Sequence, residues 1–570
     1  MLSNLSSQLG ASHRKRHFLF LITTICTVLF IGYQFGTFDE AMHIPFLKDM
    51  ANPALYPGDN MLKLHNIYYS YFWLFFIPFL KLGWLEPVLF GIHVFSIYLS
   101  FWAIWELSET LFHNHLTSLI SVIAFIVPHF SFVGFPIFEF APLSRTFVLP
   151  FLLIALNQFF KGRIILAFFI AGVMYNVHVV SVNFILAMFG LACVLEFSRI
   201  GFRKIFPGLA IFIIAALPVL LWKAGGDSLD LSLRPEWVAF LNLTLFRHIF
   251  AMVGSYPPTW IIVFSGLSAL GLFFIAVPHT ESKQNAHTAR IFIFAGIIVL
   301  AANVITVNWL PITIIIQSQI ARIGLWTLII AYIFFSDLIA QQYTKNEFSP
   351  QKLGPTSASI AFWLLASTFI FSPLPILPLI IWLLIRYVKK PVIIKSTAIA
   401  LPIVIIILCA IFLSLGFWRP GIFIYGEKTP WVEAQDWARI NTPISARFIT
   451  PPEKWGVQEP DWRVHSERSS TGTLSEILVA AFLPGYENEW KQRFELLAPG
   501  ALSRFNGEYF WNVETTHKAY ADLTIEQIEN IACKLNAQYV VREKPDLLPL
   551  SPVYENTAFV VYNLEKISCK

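Results

Sequence analysis

The sequence predicts a polytopic α-helical membrane protein of about thirteen transmembrane helices, followed by a C-terminal extracytoplasmic α/β domain. Three observations predict it. Of 570 residues, 56% are hydrophobic and only 13% charged, where a soluble chain carries about 25% charged residues. Mean hydropathy is +0.63, and apolar stretches of roughly 17–25 residues, the length a hydrocarbon slab of about 30 Å demands, recur up to residue 416. Beyond that point the texture changes to helices alternating with strands, the pattern of a small layered domain. The alternating ten-residue segments of a transmembrane barrel are absent from the sequence.

Arg14, Lys15 and Arg16 precede the first apolar run, which begins at His17. The run is long enough to span and no small-residue cleavage site follows, so it reads as a retained signal anchor. The positive-inside rule then places the N-terminus in the cytoplasm. Other basic loops fall at Lys161–Arg163, Arg199–Lys204, Lys283–Arg290, Lys345–Lys352 and Arg386–Lys390. Spans near 17–35, 87–106, 117–135, 146–160, 164–181, 183–197, 206–223, 259–277, 291–307, 321–337, 357–371, 374–387 and 393–416 put all of these loops inside. The chain thus divides into a membrane domain at 1–416, with a structured first outer loop at 36–86, and an outer domain at 417–570. The aromatic stretch Tyr68–Leu80 is too short to span and reads as an interfacial helix within that loop.

In the outer domain WVEAQDWARINTP reads as an amphipathic helix, and ARFITPP and DWRVHSE as strands. LSEILVAAFLPGYENEWKQRFELL reads as helical with a break at Pro484-Gly485. TIEQIENIACKLNA is a second helix running into the strand QYVVRE, and VYENTAFVVYNLE reads as a hairpin with Asn556 at its turn. Cys26, Cys193 and Cys409 lie in apolar segments and read as small buried hydrophobes. Cys533 and Cys569 both fall in the outer region, where a disulfide between them is permitted.

The chemistry concentrates in GTFDEAMHIPFLKDM, directly after the first span. Asp39 and Glu40 stand at the membrane edge, where acids are costly to hold and mark function by default. The plain alternative is a polar loop in which one acid caps a short helix. With the topology above, other polar groups reach the outer ends of different helices: His43, Glu139, Arg145, His178, Gln317, Gln319 and Arg322. A carboxylate there can accept a proton from a hydroxyl, and an arginine can hold a lipid phosphate by paired, charge-assisted contacts. Arg322 can equally snorkel to the interface, and Arg145 can serve as a plain interfacial anchor. His113-Asn114-His115 lies in an inside loop without a nearby cluster of carboxylates or thiolates and reads as a surface loop. No GxxxxGK[ST] or GxSxG run occurs, which argues against a nucleotide-driven motor or a serine hydrolase. The net charge of +5 does not point to nucleic acid.

The acidic TFDEAMHIPFL after helix one resembles the first outer loop of the GT-C superfamily of membrane glycosyltransferases. The aromatic run to YYSYFWLFFIPFLKLGWLEPVLF, the number of spans and the outer α/β domain (WARINTPISARFITPP to LNAQYVVRE and VYENTAFVVYNLE) are similar to bacterial members. The resemblance implies inverting transfer of a sugar from a polyprenyl-phosphate donor, with membrane lipid as partner and the bacterial plasma membrane as setting. It implies Asp39 as base with Glu40 beside it. Arg322 or Arg145 would bind phosphate, at the site that His178, Glu139, His43 and Gln319 are expected to line from the topology above. It implies no nucleotide cofactor and leaves a divalent metal open, since some members use one. The WWDYG-type signature of oligosaccharyltransferases is absent. DWRVHSERSS and ENEWKQRF also resemble a group of bacterial multi-pass proteins without assigned activity. A non-enzymatic transporter or flippase, or a structural protein with a partner-binding outer domain, are the competing classes.

Overall fold

A computed structural model of the chain describes residues 2–62, 70–132, 136–225, 230–244, 257–344, 354–388, 391–414, 418–454 and 459–565. A helix lies in each of the thirteen expected segments, but among the described residues six helices are long and apolar enough to cross a membrane by themselves. These are Leu85–Phe112, Phe202–Ala224, Trp260–His279, Lys283–Asn308, Ile320–Thr344 and Val392–Ile411. The 17 residues of Ser144–Phe160 rise about 25 Å at 1.5 Å each, short of a ~30 Å slab. The count of thirteen therefore goes no further than the positions of the helices.

The expected span 117–135 shows how a helix stops short. Its helix covers only His115–Ala124, and the chain then runs irregularly through a fully enclosed His129. That imidazole bridges Ser372 O at 2.8 Å and Ala124 O at 2.5 Å. Irregular backbone at such depth survives only where protein satisfies it. The enclosing element is Ile320–Thr344, whose residues from Trp326 to Ala340 are all buried. A Cβ on Gly296 would run into the Thr327 side chain, so glycine lets Lys283–Asn308 approach this central helix closely. Among the apolar cysteines Cys193 is buried as expected, whereas Cys26 is exposed.

Strands are numbered along the chain: β1 (Tyr33–Gln34), β2 (Ile422–Phe423), β3 (Arg447–Ile449), β4 (Ser469–Ser470), β5 (Tyr539–Glu543), β6 (Pro552–Glu555) and β7 (Phe559–Asn563). Among the described residues, the C-terminal domain holds one five-stranded sheet, order β4-β3-β5-β7-β6, parallel from β4 to β5 and antiparallel beyond. Helix Pro430–Asn441 covers one face, packing Trp431 and Ala438 on Phe448, Val541 and Val561. Helix Ile525–Leu535 covers the other, packing Ile528 and Ile531 on Ile449, Val540 and Val560. Thr524 and Gln527 form its capping box, and Asn556 closes the β6–β7 hairpin by accepting from the Ala558 and Phe559 amides.

One expected strand is a helix. DWRVHSE forms a turn of helix at Trp462–Ser466, with Asp461 accepting from the Arg463 amide. Alternation of polar and apolar residues there mimicked a strand with one wet face, but Arg463 is as buried as Trp462. Cys569 lies outside the described residues, as do Tyr68 and Tyr69 of the aromatic stretch and the domain boundary at 416; Cys533 is disulfide-bonded. From Ser70 the stretch forms two short turns of helix, Trp73–Phe76 and Ile77–Lys81, and no crossing.

The first loop, between helices His13–Ile31 and Leu85–Phe112, is built into the C-terminal domain. β1 pairs in parallel with β2, Lys48 bonds Glu467 at 2.7 Å, and Tyr56 donates to Arg463 O at 2.9 Å. At the centre, Arg463 donates to Asp59 (2.6 Å), Asp461 (3.1 Å) and Glu476 (2.8 Å), all nearly devoid of solvent exposure. A buried charge cluster that loses one partner leaves the rest uncompensated. Arg463→Ala is therefore expected to cost about 3–5 kcal/mol, read as a large fall in melting temperature in detergent. Arg439→Ala, which breaks an exposed pair with Asp436, should cost less than about 1 kcal/mol.

Candidate functional site

The site begins with a tight turn that ends the first helix. A Cβ on Gly32 would run into the Arg419 carbonyl, and one on Gly36 would lie 2.8 Å from Val464; both glycines have positive φ. Phe38 also adopts a left-handed conformation at φ +52°, an uncommon state for an aromatic residue that must be held by its surroundings. Its ring packs edge-on against Phe140 at 4.3 Å. Gln34 N–H donates to Phe140 O at 3.1 Å. These two contacts lay the 136–143 turn alongside the first loop and bring Glu139 towards Asp39.

Asp39 occupies the N-cap position of helix Glu40–Ala51 but makes no capping bond. Its carboxylate reaches instead to Arg145, at 2.5 Å, while Arg145 holds Glu139 through two parallel bonds of 2.6 Å. The paired-fork geometry fixes the guanidinium plane, so the plain capping role is not taken up. Asp39 keeps a quarter of its side-chain surface exposed and Glu139 about an eighth. Burial alone would raise the Asp39 pKa; the Arg145 guanidinium outweighs it and holds the carboxyl below its ordinary value, with His43 and Arg322 adding to the effect. Asp39 is an ionised, oriented and partly open carboxylate.

The remaining residues arrange around this triad. His43 stacks on Trp73 at 4.9 Å, and burial pushes its imidazole down to about 4, so it is neutral at pH 7. His178 caps helix Val179–Leu195 by accepting from the Ser181 amide at 3.1 Å, within electrostatic reach of Arg145, Arg322, His43 and Asp39. Arg322 sits in the short helical turn Ile320–Ile323, entered through a left-handed Gln319. Gln317 anchors the C-terminal domain by donating to Phe482 O at 2.9 Å. Four separate segments thus bring Asp39, His43, Glu139, Arg145, His178 and Arg322 together, and Gln319 shapes the chain that presents Arg322.

Glu40 points elsewhere. It is fully buried, accepts from the Gly36 amide at 2.8 Å, and its Oε1 has no hydrogen-bond partner among the described residues. This position braces the turn that carries Asp39. A cavity of about 440 Å³ opens at the opposite ends of the helices, lined by His113, His115, Glu281, Asp337 and Gln341 among others. Asp337 follows Arg322 by fifteen positions on nearly continuous helix, about 22 Å of rise, so this cavity is not part of the Asp39 site.

Among the described residues, the group of acids and histidines close enough to share one metal ion is not at Asp39 but in the C-terminal domain, at Glu453, His517 and Glu543. Sequence reasoning missed all three, along with the Arg463 cluster, the Trp73 platform under His43 and the helix Tyr509–Ala521. No protein-family model matches the chain, and comparison with curated proteins returned no match.

Burial pushes the Glu40 carboxyl up to about 8 from an ordinary 4.5, opposed only in part by the Gly36 amide. Between those values the folded chain binds one more proton than the unfolded chain, so its stability falls as pH rises from about 5 to 8. Glu40→Gln, neutral throughout, is expected to remove that slope in melting temperatures measured across the same range.

Proposed function

We propose that this protein is an inverting membrane glycosyltransferase of the GT-C kind, moving a sugar from a polyprenyl-phosphate donor to an extracytoplasmic acceptor hydroxyl. The observation that carries the reading is the convergence of Asp39, ionised and partly exposed, with Arg145 and Arg322 at one edge of the apolar helices. The first loop that carries Asp39 is a scaffolded element, held on one side by helices and on the other by the outer domain, as a site positioned on rigid elements requires.

In this reaction the acceptor oxygen attacks the anomeric carbon from the face opposite the leaving group. The bond from that carbon to the phosphate oxygen breaks, and polyprenyl phosphate departs with the electron pair. The acceptor proton passes to Asp39. A carboxylate of depressed pKa is a weak base towards a neutral hydroxyl, but the oxygen becomes acidic as its bond to carbon forms, and transfer at that stage is favourable. Arg145 orients Asp39, and Glu139 shares the guanidinium charge so that Asp39 is not fully neutralised. Arg322 faces the developing charge on the phosphate, where a guanidinium supplies paired donors. Glu40 holds the turn.

Asp39→Asn keeps the shape and removes the proton acceptor. It is expected to lower release of polyprenyl phosphate from hexose- and pentose-linked donors by about 10²–10⁴-fold, with melting temperature and donor binding retained. Turnover at the wild-type rate removes Asp39 as the base. Arg322→Ala is expected to weaken donor binding; unchanged binding removes Arg322 from the phosphate subsite.

A further inference from the structure

We propose that the outer domain binds a divalent transition-metal ion of the zinc type through Glu453, His517 and Glu543. The three residues come from distant parts of the sequence. Glu453 follows β3, Glu543 ends β5, and His517 projects from helix Tyr509–Ala521. β3 and β5 run parallel, so Glu453 stands just beyond and Glu543 at the carboxyl end of adjacent parallel strands, where α/β sheets open a crevice for ligands.

One ligand atom from each residue lies within 4.8 Å of the other two. His517 Nδ1 is 2.8 Å from Glu453 and 3.8 Å from Glu543. Tetrahedral coordination at about 2.0–2.2 Å from the metal sets ligand atoms about 3.3–3.6 Å apart, so small side-chain movements complete the site. One imidazole with two carboxylates suits zinc-like ions, whereas calcium and magnesium favour all-oxygen shells. Three protein ligands leave a fourth position open to water or to another group.

The alternative is two ordinary ion pairs, His517 with Glu453 and Lys454 with Glu543. The second pair exists, at 3.0 Å. The first does not satisfy Glu453, which is only 6% exposed and whose Oε2 has no hydrogen-bond partner among the described residues. An enclosed carboxylate oxygen without a partner is costly, and a cation in the cluster removes that cost. Lys454 is the residue that must withdraw. Its ammonium lies 5.4 Å from the Phe559 ring centroid and retains a fifth of its side-chain exposure, which leaves it a route outwards.

The test uses full-length, tag-free protein in detergent, stripped with chelator and titrated with zinc chloride, with metal content measured by elemental analysis. Wild type is expected to retain one zinc per chain, and cobalt in its place is expected to show the absorption bands of a low-coordinate nitrogen–oxygen site. His517→Ala and Glu453→Gln should each weaken zinc binding by at least about tenfold, the loss of one first ligand. Lys454→Ala should strengthen it, because a competing cation is gone. No zinc retained by wild type at micromolar free metal overturns the proposal, as does equal uptake by wild type and the His517→Ala, Glu453→Gln double variant. Weaker binding in Lys454→Ala also overturns it, and that variant keeps the test decisive if the ligand variants fail to fold. All of these readouts are independent of sugar transfer.

Discussion

Arg463 is the residue on which the arrangement of the first loop against the C-terminal domain depends. Its guanidinium places all three nitrogens against carboxylates, one from the first loop and two from the C-terminal domain. Those acids are themselves saturated. Asp59 accepts from the Met61 and Ser470 amides, Asp461 from Thr473, and Glu476 from Tyr486 and Arg493. Charges so deep are tolerable only when each is matched and each lone pair used. The cluster therefore accepts one geometry of loop against domain, and apolar packing of the first loop on both layers follows from it.

From that fixed loop the electrostatics of the Asp39 site follow in turn. The loop sets Asp39 opposite Arg145, whose position the 136–143 turn and helix Ser144–Phe160 determine separately. Arg145 then serves two acids, and the neutral rings of His43 and His178 add polarity without further net charge. An acid whose neighbour Glu40 is held protonated by enclosure, while it remains ionised itself, illustrates how two adjacent carboxyls take opposite states when their environments differ.

The membrane class, the positions of the apolar helices, the helix at Pro430–Asn441, the capped helix Ile525–Leu535 and the hairpin at Asn556 were all legible, because each rests on local patterning. The acidic loop was legible because two adjacent carboxyls beside a membrane are conspicuous. The lengths of the crossings were not, since hydropathy cannot tell a full span from a short helix continued by irregular chain, as at His129. DWRVHSE misled because alternation says nothing about a charge that folds inwards to three acids. The Glu139–Arg145–Asp39 contacts were out of reach for a related reason. Which of several outer-end residues touch depends on the register of separate helices, and no single segment encodes that. Glu453, His517 and Glu543 each sit in unremarkable surroundings, and only the parallel pairing of β3 with β5 makes them neighbours.

The pairing of β1 with β2 has a consequence for how the protein comes into being. Trp418 also donates to the carbonyl of Phe30, 388 residues earlier, so the exit of the first helix is closed by chain made only after all the apolar helices. Contacts of such separation form late and slowly. During synthesis the loop bearing Asp39 waits beside the membrane without its strand partner, its Arg463 clamp or its covering domain. Full support of the carboxylate site therefore waits for the C-terminal segment, and a chain ended before Trp418 holds Asp39 and Arg145 without the strand and clamp that brace their loop.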